Sequence, residues 1–287
     1  MRKDGVKIKN ANPMYLVMNQ FLRYRYDAMN QLTLDIPIEP MQKYIRAKKA
    51  EGIRLSHMGL VIAAYVRTLA EFPQLNRFVM NGNIYARNEI AVGMVVLKTG
   101  QMIDETFSKM YFLPEDDIFT VQKIIDEFLE SNKKAEESNG TDRIIEILVG
   151  IPGLLKFGCA VLRWMDKHNL LPKAIIDVSP FHSSMVVTNL ASIRTPHLYH
   201  HIYDFGTVGE FMAMGNFREV PKTLAGETKF VTCMPIGYVM DERICTGAYC
   251  SMALQRFKGY LTHPERMEGA PKVLNYDDGV VITKRKS

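Results

Sequence analysis

The sequence predicts an α/β protein built from layers of helices packed on a β-sheet. Segments with the composition of strands alternate with segments of helical periodicity along the chain. Apolar residues make up 47% of the chain and charged residues 23%, a balance typical of folded globular proteins. Because no internal repeat and no obvious break in composition interrupts the alternation, we expect one domain over residues 1–287.

Five segments supply the strands of the predicted sheet, because they are rich in apolar, β-branched and aromatic residues. These segments are residues 32–38, 89–97, 183–190, 210–215 and 228–240. A separate hairpin is predicted around Asn81-Gly82, a dipeptide that favours a tight turn when it lies between two apolar arms.

Four helices are predicted from apolar periodicity and capping signals. Their positions are 41–52 after Pro40, 57–72 after the capping residue Ser56, a segment beginning at Asp117, and 248–261. The second of these helices is apolar around most of its circumference and ends at Pro73, so it must be buried in the core.

Residues 131–183 interrupt this pattern with a polar stretch followed by an apolar one. The polar residues 131–142 predict an exposed linker. Residues 143–172 predict two apolar helices, broken at Gly150-Ile151-Pro152 because proline disrupts the interior of a helix.

The apolar part of this insertion does not predict a membrane span. Glu146, Pro152 and Lys156 interrupt it, whereas a span needs roughly 18 uninterrupted apolar residues. Its apolar faces have three possible partners: the protein core or a subunit interface, an acyl or lipid-like ligand, and a membrane surface in peripheral contact with 143–169.

Charge and cysteine content argue against several classes of protein. The net charge of +5 is mild and the only dense basic cluster is the terminal TKRKS, so nucleic-acid binding is not expected. The four cysteines form no Cys-x-x-Cys pair and no zinc-type spacing, which predicts reduced thiols, no metal centre and a cytoplasmic location. The basic N-terminus lacks the apolar core of a signal peptide.

Three stretches resemble the catalytic domain of the dihydrolipoyl acyltransferases of 2-oxo acid dehydrogenase complexes and, more distantly, chloramphenicol acetyltransferase. They are residues 55–97, with a Phe-Pro-x-Leu-Asn run at 72–76, then 186–193 and 239–261. The resemblance covers roughly residues 32–265 in order. It implies a divergent member of the chloramphenicol acetyltransferase-like superfamily, with a two-layer α/β sandwich in which a mixed β-sheet packs with helices.

The same resemblance implies a homotrimer with active sites in channels between subunits. It implies acyl-CoA or another acyl thioester as co-substrate, and no permanently bound cofactor. The lipoyl-bearing and subunit-binding modules of the dehydrogenase components are not expected, because the catalytic-type region begins almost at the N-terminus. Membership of a dehydrogenase complex is therefore not expected either.

The run MDERICTG at 240–247 has the frame of the family's catalytic His-x-x-x-Asp-Gly motif. In the family the histidine takes a proton from the acceptor thiol or hydroxyl, the aspartate stabilises the loop, and the glycine permits the turn into the last helix. Three positions preserve the frame: Asp241, Arg243 and Gly247. However, Glu242 stands at the histidine position and Thr246 at the aspartate position.

Glu242 has two interpretations. A carboxylate with an ordinary pKa of about 4.3 is a weak base at neutral pH, but burial in an apolar channel raises that pKa and makes the group usable. In the other interpretation Glu242 pairs with Arg243 or another cation and only holds the loop.

Thr188, in the run VVTNL, stands where the family has a serine whose hydroxyl donates to the tetrahedral oxyanion. Since a hydroxyl is all that this role requires, Thr188 is a candidate oxyanion donor and the adjacent Asn189 a candidate substrate contact. The alternative is that Thr188 packs within its strand, where threonine is common.

The segment TPHLYHHIYDFGT at 195–207 carries three of the chain's seven histidines. In the family this segment runs along the acceptor side of the channel, and an imidazole is the natural general base near neutral pH. His200 or His201, oriented by Asp204, is therefore a second candidate base, with His197 and Asp204 as substrate contacts. The alternative is a polar loop at a subunit interface, and the spacing matches no standard zinc motif.

Three functions follow from the resemblance and the altered motif. The first is an acyltransferase that moves an acyl group from a thioester donor to a thiol or hydroxyl acceptor. The second is a catalytically inactive trimeric homologue that binds a ligand or partner. The third is a thioester hydrolase, in which water replaces the acceptor.

Overall fold

The structure is a computed structural model of the chain, and it describes residues 2–97, 105–134, 152–224 and 226–282. Within these ranges it contains ten strands and seven α-helices. The strands are β1 (Gly5–Lys7), β2 (Met29–Pro37), β3 (Arg77–Met80), β4 (Asn83–Arg87), β5 (Ile90–Leu97), β6 (Glu105–Phe112), β7 (Met185–Asn189), β8 (Glu210–Met214), β9 (Arg218–Leu224) and β10 (Glu227–Asp241). The helices are α1 (Pro13–Phe21), α2 (Ile38–Ala50), α3 (His57–Glu71), α4 (Ile118–Lys134), α5 (Leu154–Lys167), α6 (Lys173–Val178) and α7 (Gly247–Thr262).

The larger sheet has seven strands and is mixed. Its order is β2-β10-β8-β7-β5-β6, and β9 pairs with the first half of β10 beside that path. Strand β7 runs parallel to both of its neighbours, β5 and β8, while the other pairs are antiparallel. The mixed sheet that the resemblance implies is therefore confirmed.

The smaller sheet, in the order β1-β4-β3, is antiparallel and contains the predicted hairpin. Asn81 and Gly82 have φ angles of 49° and 72°. Positive φ at both central residues is the requirement of a type I′ turn, which matches the twist of the two strands it joins. The hairpin prediction is confirmed.

Helices α2, α3 and α7 cover one face of the larger sheet, which we call the helix face. Helix α3 is buried from Gly59 to Ala70 and contacts both α4 and α7, as a helix apolar on all sides requires. Alternate residues of β10, namely Ile236, Tyr238 and Met240, belong to the same core because side chains alternate between the faces of a strand. The two-layer α/β architecture is confirmed.

The opposite face of the sheet is crossed by irregular chain between β7 and β8. A Cβ atom at Gly215 would lie 2.1 Å from the backbone nitrogen of His197, and one at Gly237 would lie 2.1 Å from the carbonyl oxygen of Leu198. The absence of side chains at these two glycines is therefore what lets the segment lie directly on the sheet. We call this the loop face.

Several elements differ from the expectations at their ends. Helix α2 begins at Ile38, so Pro40 lies inside its first turn, where backbone N–H groups have no intrahelical partner to lose. Helix α4 continues to Lys134, so the first residues of the predicted 131–142 linker are helical. Residues 135–151 lie outside the described residues, and they include the rest of the predicted linker and the first two residues of the expected break at Gly150-Ile151-Pro152.

The described part of the apolar insertion forms α5 and α6. Four large apolar side chains of α5 are exposed, including Phe157 at 67% and Trp164 at 57%, so this helix is not packed into the core. Core packing was one of the alternatives for the insertion, and for this helix it is wrong. None of the helices within the described ranges is both long and apolar enough to cross a membrane.

Candidate active site

A cleft of about 620 Å³ opens on the helix face beside the motif at 240–247. Helix α1, the start of β2 and helix α7 form its walls. We call it the motif cleft, and its lining residues are Tyr15, Met18, Asn30, Gln31, Leu32, Leu34, Met240, Glu242, Cys245, Gly247, Cys250, Ser251, Leu254, Gln255 and Lys258. A concave site with apolar walls and a few polar groups is the usual form of a small-molecule site.

Glu242 lies on the wall of the motif cleft, directly after the end of β10. Its backbone N–H donates to the Ala28 carbonyl oxygen over 2.9 Å. The side-chain amide of Asn30 donates to Glu242 Oε2 over 2.8 Å, and Oε1 has no hydrogen-bond partner among the described residues. No ion pair to Glu242 occurs within the described ranges, so the interpretation in which it pairs with Arg243 is wrong.

Arg243 instead binds Asp241, and this pair fixes the loop. Arg243 Nε donates to Asp241 Oδ1 over 2.7 Å, and Nη2 donates to Oδ2 over 2.6 Å. Arg243 Nη1 also donates to the Leu22 carbonyl oxygen over 2.8 Å. Arg25 lies behind the pair, 3.9 Å from Asp241, and its burial lowers its pKa to about 10. The frame predicted by the motif is therefore a buried ionic network.

Thr246 takes a structural role at the family's aspartate position. It is the N-cap of α7, and its hydroxyl oxygen accepts the backbone N–H of Tyr249 over 3.1 Å. Threonine and aspartate are both good N-caps, so this replacement keeps the helix start stable. Gly247 follows as the first helical residue. A Cβ atom there would meet open space and its φ is not positive, so within this chain neither space nor backbone conformation demands glycine at the turn.

Thr188 and Glu242 do not meet within one chain. In the sheet register, Thr188 pairs with Ala213, which pairs with Gly237 of β10. Glu242 lies five residues beyond Gly237, which is about 16 Å along the strand. By strand alternation Thr188 also lies on the loop face, because its neighbour Val187 belongs to the helix-face core. Asn189 Oδ1 is buried without a hydrogen-bond partner in the described structure.

His197 lies on the loop face, in the same row of the sheet as Thr188. Its Nε2 lies 3.0 Å from the Thr33 hydroxyl, which lies 2.5 Å from the Tyr199 hydroxyl. Burial, together with the positive charge of Arg218, lowers the pKa of His197. A neutral imidazole in a hydroxyl network positions this segment on the sheet, outside the motif cleft.

His200 is stacked flat on Phe211, with ring centroids 4.1 Å apart. Its Nδ1 lies 2.8 Å from the carbonyl oxygen of His201, and burial lowers its pKa. Asp204 orients neither histidine, because its carboxylate accepts the backbone N–H of Arg25 instead. The expectation of a histidine oriented by Asp204 is wrong, and neither histidine lines the motif cleft.

Behind the motif cleft lies a buried acid that sequence reasoning missed. Glu210 is fully buried, and burial raises its pKa to about 8. The hydroxyls of Tyr65 and Tyr238 are near enough to lower that pKa in part, although none forms a well-aligned hydrogen bond with the carboxyl group. The only signal in the sequence was a glutamate at the start of an otherwise apolar strand.

Two thiols line the motif cleft but are poor nucleophiles. Burial raises the pKa of Cys250 to about 12 and that of Cys245 still further, so both thiols are protonated at neutral pH. Cys250 Sγ lies 2.9 Å from Met240 Sδ. Within the described ranges, no group of three or more His, Cys, Asp or Glu side chains is arranged to hold a metal ion.

Comparisons with known proteins bear on the fold. No protein-family profile and no curated protein matches the sequence. The probable dihydrolipoamide acetyltransferase of Listeria monocytogenes 4b F2365 is similar in structure, with a TM-score of 0.56 and 15% identity over 90% of this chain and 95% of that one. For the dihydrolipoamide acetyltransferase of Azotobacter vinelandii the TM-score is 0.57 and the identity 12%, over 91% and 94%.

A chloramphenicol acetyltransferase is also similar, with a TM-score of 0.52 and 13% identity over 91% of this chain and 100% of that one. At such identities the likeness establishes the fold and leaves the activity to be argued from the site. The chain therefore has the chloramphenicol acetyltransferase-like fold, which it shares with the catalytic cores of dihydrolipoamide acetyltransferases.

Proposed function

We propose that the protein transfers an acyl group from a thioester donor, such as acyl-CoA, to a thiol or hydroxyl acceptor bound in the motif cleft. Glu242 acts as the general base. The observation that supports this proposal is the position of Glu242 on the cleft wall. No described residue forms a hydrogen bond with its Oε1, and the buried Asp241–Arg243 pair holds the loop. Hydrogen-bond reach from a rigid support is the first requirement of a general base.

The proposed reaction requires no group beyond donor, acceptor and protein. Glu242 Oε1 accepts the proton of the acceptor S–H or O–H as the acceptor atom attacks the thioester carbonyl carbon. The tetrahedral intermediate expels the donor thiolate, which recovers the proton from Glu242. The Thr188 hydroxyl donates a hydrogen bond to the oxyanion. Such a donor typically stabilises the transition state by a few kcal/mol.

Because Thr188 and Glu242 lie on opposite faces of the sheet in one chain, the proposed site needs a second copy of the chain. One subunit supplies the base and its neighbour supplies the hydroxyl. We therefore propose the homotrimer that the resemblance implies, with the motif cleft opening into a channel between subunits.

An assay of thiol release from a panel of acyl-CoA compounds tests whether Glu242 is the general base. We expect Glu242→Gln to lose at least about 100-fold in turnover, the usual contribution of general-base catalysis. The matched control is Glu219→Gln, which neutralises an exposed glutamate on β9 and keeps full activity. Unchanged turnover in Glu242→Gln contradicts the assignment.

A complementation experiment tests the shared site. Chains carrying Glu242→Gln and chains carrying Thr188→Val are unfolded together, refolded together and assayed. If the site is built across subunits, the mixed assembly regains part of the activity that each variant lacks alone. If all activity resides within one chain, mixing restores nothing.

A non-catalytic ligand-binding role is the second candidate. It is favoured by the Asn30–Glu242 hydrogen bond, which occupies one oxygen of the base, and by the capping role of Thr246. Saturable binding of acyl-CoA with no thiol release across the panel supports this role. Release of free acid without an acylated acceptor identifies a thioester hydrolase instead.

A further inference from the structure

A second cleft, of about 450 Å³, lies behind the motif loop and shares no lining residue with the motif cleft. It is bounded by the end of α1 and the residues after it, by the turn between β3 and β4, and by the C-terminal half of α5. Five cationic and two anionic side chains line it, and we call it the basic cleft. The proposed base Glu242 and the proposed oxyanion donor Thr188 do not line this cleft, so its ligand is a separate question.

The anionic side chains of the basic cleft are already engaged. Asp166 binds Arg2 at 2.9 Å and lies 3.2 Å from His182 Nε2, and Asp204 accepts the backbone N–H of Arg25. Arg25 and Arg243, two of the five cations, face the carboxylate of Asp241. These charges therefore compensate one another.

Three cations of the basic cleft are not compensated. Arg23, Arg163 and Lys167 make no ion pair and no side-chain hydrogen bond with any described residue. Arg163 and Lys167 are also four residues apart on α5, where like charges repel each other and destabilise a helix. Such an arrangement is favourable when an anion lies between the cations.

Asn19 supplies an independent indication of a ligand. Its side chain is only 3% exposed and lines the basic cleft, yet neither its amide nitrogen nor its amide oxygen has a hydrogen-bond partner in the described structure. A buried amide left unpaired is unfavourable, so native proteins satisfy such groups with protein, water or ligand. Asn19 can donate to a phosphate oxygen through Nδ2.

An aromatic ring lies at the edge of the same cleft. Tyr24 stacks on Tyr26, with centroids 5.1 Å apart and planes within 7°. Tyr24 is 46% exposed, so its ring is open to a further planar group. Aromatic stacking next to a cluster of arginine and lysine side chains is the combination that binds nucleotides.

We propose that the basic cleft binds a nucleoside polyphosphate. Arg23, Arg163 and Lys167 hold the phosphates, Asn19 donates to them, and the base stacks on Tyr24. The ligand is either a free nucleotide or the nucleotide end of CoA, and the second case rests on the proposed function. Both ligands carry a pyrophosphate and an aromatic base on the same ribose.

Calorimetric titration of the full chain with ADP tests this proposal, with adenosine and inorganic pyrophosphate as comparison ligands. We expect ADP to bind more tightly than either comparison ligand, and its Kd to rise with salt because the contacts are ionic. Arg163→Gln combined with Lys167→Gln raises the Kd at least about ten-fold, and Asn19→Leu and Tyr24→Ala each weaken binding by a smaller factor. Competition by CoA distinguishes a free nucleotide from the nucleotide end of CoA. If CoA displaces ADP, the cleft binds a CoA-type ligand; if CoA does not displace ADP, the cleft binds a free nucleotide.

Lys156→Gln is the matched control, because Lys156 is exposed on the same helix and does not line the cleft. It should leave the Kd for ADP unchanged. The proposal is overturned if the double variant binds ADP as the unmodified protein does, or if the protein binds vesicles of anionic lipid but not ADP. Since the readout is binding, Glu242→Gln retains it, and failure here leaves the proposed acyl transfer untouched.

Discussion

Arg243 binds Asp241 through two nitrogen atoms on one edge of its guanidinium group, with Nε 2.7 Å from Oδ1 and Nη2 2.6 Å from Oδ2. Asp241 is fully buried and Arg243 is 3% exposed. Removing one charge from such a pair leaves the other buried and unpaired, a loss of about 3–5 kcal/mol. We therefore expect Asp241→Asn to lower the free energy of unfolding by that amount, as measured by urea denaturation.

The control for this prediction is a surface pair of the same chemistry. Arg218 binds Asp35 near the surface, where the arginine side chain is 45% exposed. Solvent screens this pair, so Asp35→Asn should cost less than about 1 kcal/mol. Equal losses in the two variants contradict the view that burial makes the Asp241–Arg243 pair important.

Local signals explain which parts of the fold were predictable from the sequence. Helix α3 is apolar on all sides, and the hairpin at Asn81-Gly82 needs a dipeptide that accepts positive φ, so both elements are specified by adjacent residues. Strands β6 and β9 were not predicted. Strand β9 pairs with the exposed first half of β10, where polar side chains remove the apolar alternation on which strand prediction depends.

The part of the site whose residues are adjacent in sequence was predictable. The run at 240–247 contains the frame of the loop, and the structure shows that frame as a buried ion pair and a helix cap. Glu210 was missed because it reaches this region only through its pairing with Met240, thirty residues away in sequence. Asn30 and Tyr15 were missed for the same reason, since the fold brings them to the cleft from distant segments.

Substitutions of Thr246 test whether this residue, at the aspartate position of the motif, stabilises α7 as its N-cap. Thr246→Ala removes the acceptor for the Tyr249 N–H and should lower the free energy of unfolding by about 0.5–2 kcal/mol. Thr246→Asp restores an acceptor and should stay within about 0.5 kcal/mol of the unmodified protein. Urea denaturation of both variants measures this, and an aspartate variant as unstable as the alanine variant rules out the cap.

The two glycines Gly237 and Gly247 give opposite predictions for the same substitution. Gly237→Ala places a methyl group 2.1 Å from the Leu198 carbonyl oxygen, so the loop-face segment must move and the protein is destabilised by more than about 1 kcal/mol. Gly247→Ala meets open space at the first position of α7, so it should be neutral or stabilising by up to about 1 kcal/mol. Thermal unfolding of the two variants checks the difference, and a destabilised Gly247→Ala would show that the turn needs glycine after all.

Glu210 predicts a pH dependence of stability. Burial raises its pKa to about 8 in the folded protein, above the ordinary value of 4.5 expected after unfolding. Between these values the folded state binds a proton that the unfolded state has released, so raising the pH favours unfolding. The contribution of Glu210 to the free energy of unfolding therefore falls by up to about 1.4 kcal/mol per pH unit from pH 4.5 to 8, and it changes little above that range. Glu210→Gln removes this titration while keeping the shape of the side chain. The free energy of unfolding of this variant should therefore fall less between pH 5 and pH 8 than that of the unmodified protein.

Urea denaturation of the unmodified protein and of Glu210→Gln at both pH values measures that difference. Glu219→Gln is the control, since it removes an exposed carboxyl group from the neighbouring part of the sheet and should keep the pH dependence of the unmodified protein. If Glu210→Gln also shows that same dependence, then Glu210 is ionised in the folded state. In that case a buried cation or an ordered solvent network must compensate its charge, and the group behind the motif cleft is an anion rather than a neutral acid.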